Sequence, residues 1–167
     1  MRCFIDFVKS ILGIGRTKRL SYDLMKADAD TEAAVMGTIN KSFEAYANRD
    51  VEGVLALLVP VPDVVAIGTG ADEKCIGLEE TRRQLERDFA QSEGGSWKMD
   101  WHLVSAAGPV AWVAADVTMY ARVAGKDLSA PIRFTAVLVQ HGDKWLFAQQ
   151  HISMAAAGQR VGQSFPT

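Results

Sequence analysis

The sequence predicts an α+β domain in which helices from the first half of the chain pack on one curved antiparallel sheet. Between residues 30 and 91 apolar side chains recur mainly at helical spacing, whereas from residue 97 onward they alternate with polar ones. Short glycine-containing turns separate the later segments, so sequential strands are expected to pair antiparallel. Helices followed by a meander of long strands favour a cone-shaped sheet with helices on its concave side.

Three helices are predicted in the domain. The first begins near Asp30, where acidic residues suit the positive end of a helix, and ends near Asn48. The second is expected over residues 51–58 and stops before Pro60, because proline cannot donate into a continuing helix. The third is expected over residues 78–91, where one face of the helix is apolar.

Six strands accompany these helices. Two short apolar or mixed runs between turn signals predict strands over residues 64–68 and 73–76. Alternating patterns then predict four long strands, over residues 97–106, 110–122, 132–140 and 144–154.

The chain divides into three predicted parts. Residues 1–29 form an amphipathic helix and linker, residues 30–156 the domain, and residues 157–167 an irregular tail. The N-terminal helix is expected to dock on the domain or on a partner subunit. A membrane-surface helix stays open as an alternative, because basic residues follow the apolar face, and so does a disordered segment.

Composition narrows the function further. The net charge of −2 argues against nucleic-acid binding, which usually needs a basic stripe. Cys3 and Cys75 form no disulfide framework, so a reducing cytoplasm is expected. No apolar run is long enough to span a bilayer. The three histidines lack the spacing of metal ligands, and we expect neither a metal nor a cofactor.

The last hairpin determines which side chains would share a face. A two-residue turn at Gly142-Asp143 would place Phe134 opposite His151, with Gln149 on the same face. A register slip of one residue would exchange the two faces.

The preceding hairpin places two charged residues together. A two-residue turn at Gly125-Lys126 makes Asp116 and Arg133 diagonal neighbours on one face. This simple register puts them on the opposite face from His151, and one β-bulge would reverse that.

Asp116 and His151 are the predicted catalytic residues. Asp116 would act as a base whose pKa is raised by an apolar pocket, or alternatively as a polar partner of Arg133 that holds the sheet or a dimer. His151 has acid–base chemistry near neutral pH, and the alternative is a hydrogen-bonded core histidine. The expected ligand-binding residues are Trp112, Tyr120, Arg133, Phe134 and Gln149.

The chain resembles the nuclear transport factor 2-like superfamily, in particular its SnoaL-like branch. The likeness covers about residues 31–154 and rests on the segments 43–50, 64–68, 110–113, 133–138 and 142–153, with Gly77 opening the third helix. The resemblance implies the cone-shaped fold, an interior pocket and a homodimer. Ketosteroid isomerases of this superfamily use a tyrosine and a carboxylic acid as an oxyanion hole, together with a separate carboxylate base. The sequence does not offer this whole set: Tyr46 and Tyr120 are available, but Asp116 is the only convincing strand carboxylate.

Two functions follow from these expectations. The first is a cofactor-independent isomerase, cyclase or dehydratase that transfers protons on a small apolar or acidic molecule. The alternative is a non-catalytic ligand-binding or association domain. Fold likeness by itself does not choose between them.

Overall fold

The structure is a computed structural model that describes residues 25–166. Three helices and six strands occur in this part of the chain. In order they are α1 (Ala29–Ala47), α2 (Val51–Leu55), β1 (Val65–Ile67), β2 (Lys74–Ile76), α3 (Gly77–Gln91), β3 (Gly94–Ala107), β4 (Val110–Val123), β5 (Lys126–His141) and β6 (Lys144–Ser153).

The six strands form one curved, unclosed sheet in the order β2-β1-β6-β5-β4-β3. All neighbours are antiparallel except β1 and β6, which run parallel. The predicted α+β cone is therefore confirmed. The last strand of the chain lies in the middle of the sheet, between β1 and β5.

The helices cover one face of the sheet, which we call the inner face. Alternate residues of β4 and β5 are buried there, and Val35 and Ile39 of α1 are fully buried in the same core. This alternation arises because successive side chains of a strand point to opposite sides. The inward residues of the two strands are Ala111, Val113, Ala115, Val117, Ile132, Phe134, Ala136 and Leu138.

The turn between β4 and β5 lies one residue earlier than predicted. Ala124 and Gly125 both have positive φ, 50° and 72°, as a two-residue hairpin turn of type I′ requires. Val123 therefore pairs with Lys126, and Asp116 lies directly opposite Arg133 instead of diagonally. The sequence prediction failed because alanine rarely adopts positive φ and gives no turn signal.

The final hairpin follows the predicted register only up to Leu138 and Phe147. A β-bulge then shifts the pairing by one residue, so that Val137 pairs with Gln149. Beyond the bulge Thr135, rather than Phe134, lies opposite His151. A bulge inserts one unpaired residue and reverses the face of everything after it.

Two element boundaries also differ from the prediction. β5 begins at Lys126 and continues through Pro131, which strand patterns disfavour. Proline is tolerated there because this part of β5 lies at the edge of the sheet: Pro131 pairs with Thr118 of β4 on one side, whereas on the other side β6 ends at the pair Arg133–Ser153. α2 ends at Leu55, and the residues after it turn to pair with Phe147 through the hydrogen bonds Val59 N–Phe147 O and Phe147 N–Leu57 O, both 2.9 Å.

The predicted N-terminal helix lies outside the described residues, apart from its linker. In that linker Lys26 forms an antiparallel bridge with Ser105, and Ala27 is buried. Within residues 25–166 no helix combines the length and the hydrophobicity needed to cross a membrane.

Candidate functional site

A cavity of about 360 Å³ lies between α1, α3 and the inner face of the sheet. Its size falls in the range of small-molecule pockets. One wall is apolar and the opposite end is polar. The apolar wall includes Phe43, Leu85, Trp97, Met119, Phe134 and Ile152.

Aromatic side chains from α1 build part of this wall. Phe43 and Tyr46 are three residues apart and so share one face of the helix. The Phe43 ring stacks on Trp97 at 5.7 Å, and the Tyr46 ring meets Trp97 edge-on at 5.4 Å. These contacts fix the Tyr46 ring, so that its hydroxyl points toward α3.

The polar end is formed mainly by α3. Thr81, Leu85 and Phe89 are buried under this helix, and Gln84 and Asp88 follow the adjacent stripe one turn apart. The Tyr46 hydroxyl donates to Asp88 Oδ2 at 3.3 Å, and Gln84 Nε2 donates to Asp88 Oδ1 at 2.7 Å. Each oxygen of the carboxylate therefore has a donor.

A second carboxylate, Glu73, lies beside this pair. Gln84 Nε2 also contacts Glu73 Oε1 at 3.3 Å, so one amide bridges both acids. Arg87 fixes the direction of that amide, because its guanidinium donates to Gln84 Oε1 at 2.5 Å and can only donate. Arg87 is further paired with Asp72 at 2.6 Å.

The loop before β2 holds Glu73 at the rim of the cavity. Gly70 N–H donates to Glu73 Oε2 at 2.7 Å, and Gly68 N–H donates to the Glu73 carbonyl at 2.8 Å. A Cβ added to Gly68 would clash with Glu73 Oε2. Glycine at position 68 therefore allows the carboxylate to fold back over the loop.

Arg49 joins the ends of α1 and α3. Its guanidinium donates to the Ser92 carbonyl at 2.7 Å and to the Phe89 carbonyl, and it lies 5.4 Å from the centre of the Phe89 ring. A cation is favourable at a helix C-terminus, where carbonyl groups lack partners. The clamp keeps the α3 residues near Asp88 at a fixed distance from Tyr46.

The protein environment shifts both members of the Tyr46–Asp88 pair. Burial raises the pKa of the Asp88 carboxyl, and the nearby Glu73 charge adds to this, against the hydrogen bonds from Gln84 and Tyr46. Burial and the Asp88 charge also raise the pKa of the Tyr46 hydroxyl, which therefore stays protonated. The pair consists of a carboxylate that accepts protons more readily than usual and a permanent O–H donor.

Stability should report the raised pKa of Asp88. A raised pKa means that the folded chain binds this proton more readily than the unfolded chain, so the ionised form opposes folding at neutral pH. Protonation removes that penalty as pH falls through the folded pKa toward 3.8, the ordinary value. The stability of wild type relative to Asp88→Asn should therefore rise as pH falls, and urea unfolding of both across this range measures it.

The groups around Asp88 are the same in both proteins, so the difference isolates one carboxyl. They are Tyr46 from α1, Glu73 from the rim, and Arg87 from the next position of α3. A difference that does not change with pH would mean that folding leaves the pKa of Asp88 unshifted.

The predicted site residues are divided between the two faces of the sheet. Phe134 lines the cavity wall, and Tyr120 lies at its rim, where 43% of the side chain is exposed. The cavity lining does not include Trp112, Asp116, Arg133, Gln149 or His151. In their place the bulge in β6 directs Gln150 and Ile152 inward.

The remaining predicted residues share the outer face, opposite the helices. Asp116 pairs across the strands with Arg133 on one side and Trp101 on the other, and His151 pairs with Thr135. Asp116, Arg133 and His151 are exposed. A catalytic role for Asp116 or His151 stays a prediction, and it would have to be exercised on this outer face.

Asp88 and Tyr46 are the cavity residues that the sequence patterns did not bring together. They are 42 residues apart, and each lies on a helix. Asp88 follows Thr81 by seven positions and Gln84 by four, which places it at the border of the apolar stripe. That position was the available signal, because a carboxylate there is directed partly inward.

Within residues 25–166, no three His, Cys, Asp or Glu side chains come together in a group that could hold a metal ion. Cys75 lines the cavity as a free thiol whose pKa is raised by burial.

Comparison with known families agrees with this architecture. The family model of the SnoaL-like domain matches residues 35–157, which is most of the chain. The chain belongs to the SnoaL-like family. The match begins within α1 and continues past the end of β6, so it includes every residue that lines the cavity of this SnoaL-like protein. A search of curated proteins gave no significant match to the chain.

Solved structures show the same fold at low identity. A candidate dehydratase of the NTF2-like family from Streptomyces avermitilis has a TM-score of 0.69 and 20% identity, covering 77% of this chain and 99% of that chain. A candidate scytalone dehydratase from Novosphingobium aromaticivorans has a TM-score of 0.68 and 15% identity, covering 81% and 92%. A candidate calcium/calmodulin-dependent protein kinase II association domain from Xanthomonas campestris has a TM-score of 0.66 and 22% identity, covering 78% of this chain and 90% of that chain.

Proposed function

We propose that this SnoaL-like protein binds a small molecule with a flat apolar body in the cavity and catalyses a cofactor-independent proton transfer. The reaction would be of the isomerase, cyclase or dehydratase kind. The observation that carries the proposal is a partly buried carboxylate, Asp88, that accepts a hydrogen bond from Tyr46 at the polar end of an aromatic cavity. Titratable groups with shifted pKa values in a pocket are typical of catalytic sites.

Asp88 would act as the general base. A proton on the carbon next to a ligand carbonyl would move to the Asp88 carboxylate, and the electrons of that C–H bond would form an enolate. The raised pKa of Asp88 helps because a base works best when its pKa approaches the working pH.

Tyr46 would stabilise the negative charge that develops on the carbonyl oxygen. Its hydroxyl, which now donates to Asp88, would turn to donate to that oxygen. Return of the proton from Asp88 to another carbon completes an isomerisation. In a dehydration, a hydroxyl group on the next carbon instead takes the proton from Asp88 and leaves as water, while the enolate re-forms the carbonyl and a C=C bond.

Carbon-bound hydrogen exchange tests this chemistry without knowledge of the natural substrate. β-Tetralone is an uncharged two-ring ketone with acidic hydrogens next to its carbonyl. Incubation in D₂O with the protein should incorporate deuterium faster than buffer alone, as measured by mass spectrometry. Exchange at the buffer rate for this and related flat ketones would sink the catalytic proposal.

A second candidate function is association, as a homodimer formed through the outer face. A solved structure with this fold is described as an association domain. The outer face exposes 51% of Trp101 and 46% of Leu103, beside the charged pair Asp116 and Arg133. A two-fold axis through the face could place each Asp116 against the partner's Arg133, because one patch must complement itself in such dimers.

Light scattering tests the dimer. The wild type should have twice the mass of one chain, and Trp101→Asp should be monomeric, since it buries an unpaired charge in the apolar part of the interface. Val161→Asp is the matched control, because Val161 is fully exposed in the C-terminal tail. A monomeric wild type, or a Trp101→Asp dimer of unchanged affinity, would overturn the association proposal.

The remaining expectations stay proposals as well. The ligand is proposed to be small and largely apolar, because aromatic and aliphatic side chains form most of the cavity wall. The reducing cytoplasm is the proposed location, supported by the free thiol of Cys75.

A further inference from the structure

The charges that line the cavity are all of one sign. Glu73 and Asp88 both contribute to its surface. No Lys, Arg or His side chain is among the lining residues, all of which lie in the described part of the chain. A ligand that entered with a negative charge would therefore meet two carboxylates and no cation.

The two arginines that border the site have other partners. Arg87 contacts Asp72 at 2.6 Å, Gln84 Oε1 at 2.5 Å and Glu73 at 3.6 Å. Arg49 donates to the carbonyl groups of Ser92 and Phe89. These partners hold both guanidinium groups outside the lining of the cavity.

The surroundings strengthen the effect of these charges. Trp97, Phe134 and Met119 form an apolar wall, and charges interact more strongly in such surroundings than in water. The carboxylates already share a donor, Gln84, so the site itself supplies little further compensation for an added negative charge.

We infer that the cavity selects its ligand by charge, taking flat molecules that are uncharged or cationic at their polar end and rejecting carboxylates, with Glu73 as a residue that sets this selection. The inference rests on the proposed function, since it concerns the ligand of the same cavity. It narrows the ligand class, because a small acidic molecule is excluded.

Three probes of almost equal shape test the inference. Naphthamidine, naphthamide and naphthoate carry a cationic, an uncharged and an anionic group on the same two-ring body. Calorimetric titration at neutral pH and low salt should give affinities that fall in that order, with naphthoate about tenfold or more weaker than naphthamide. Equal or tighter binding of naphthoate would overturn the inference, and so would naphthamidine binding more weakly than naphthamide.

Variants then assign the selection to named residues. Glu73→Gln should bring the affinities of naphthoate and naphthamide about tenfold closer together. Glu86→Gln, an equal charge change at an exposed position of α3, should leave their ratio unchanged. Asp88→Asn provides a second test if Glu73→Gln folds poorly. The assignment would be overturned if the ratio of the naphthoate and naphthamide affinities stayed the same in both Glu73→Gln and Asp88→Asn. It would also be overturned if that ratio changed in Glu86→Gln.

Failure of this inference is distinguishable from failure of the proposed function. The expected order of affinities without any catalysed deuterium exchange would count against the chemistry alone. Catalysed exchange together with tight naphthoate binding would count against the charge selection alone. Binding of none of the three probes would count against both.

Discussion

Replacing Asp88 with asparagine is expected to lower the catalysed deuterium exchange of β-tetralone by about 10²- to 10⁴-fold, the usual contribution of a general base. Asparagine keeps the shape of the side chain and can still accept a hydrogen bond from Tyr46, but it cannot take up the proton. The expected loss is therefore chemical, and probe binding by calorimetry should persist. Exchange rates from mass spectrometry, corrected for the buffer rate, measure the effect.

Three further variants test whether the loss of exchange is specific to Asp88. Tyr46→Phe removes the donor to the developing oxyanion and should lower exchange by about 10²-fold. Glu86→Gln, exposed on the same helix as Asp88, should retain the wild-type rate. Asp116→Asn separates the two candidate carboxylates: complete loss of exchange in that variant, together with an active Asp88→Asn, would move the chemistry to the outer face.

Replacing Phe147 with alanine is expected to lower the free energy of unfolding by about 3–5 kcal/mol, as for other buried aromatic side chains. Phe147 is 2% exposed, and its ring meets Phe134 edge-on at 6.4 Å. Its backbone also joins β6 to the segment after α2. Truncation would leave a void next to the cavity wall, and urea unfolding followed by circular dichroism measures the loss.

Leu128 provides the matched comparison for this truncation. It lies in β5 with 51% of its side chain exposed, so Leu128→Ala should change stability by no more than about 0.5 kcal/mol. Equal losses of stability at the two positions would mean that Phe147 does not lie in the packed core.

Periodicity predicted the fold well, because the inner face must be apolar at every second strand residue. The buried positions of β4 and β5 follow that rule over their central part. The faces of β6 did not follow from it, since one bulge reverses them and nothing in Ala148-Gln149-Gln150 marks the bulge. The exposed turn at Ala124 was missed for a related reason, because backbone geometry there is set by hairpin twist.

The candidate site was less predictable than the fold. Asp88 and Tyr46 meet because α1 and α3 pack together through contacts between distant parts of the chain, among them the Tyr46–Phe89 ring contact and the hydrogen bonds of Arg49. Asp116 was a predicted base because it is a carboxylate within an apolar strand, yet it lies on the outer face of the sheet. Local sequence patterns indicate which residues are buried. Whether polar residues at the edges of two helices come into contact depends on how the helices pack.

The central place of β6 has a consequence for how the protein is made. β1 pairs with β6, although some eighty residues separate them, and the segment after α2 also docks on Phe147. During synthesis the early helices and β1 therefore emerge from the ribosome before the strand that will hold them exists. Proteins whose contacts join such distant segments fold slowly. The cavity can form only after the C-terminal hairpin has left the ribosome. We therefore expect a nascent or truncated chain to expose the aromatic side chains of the cavity to chaperones and proteases.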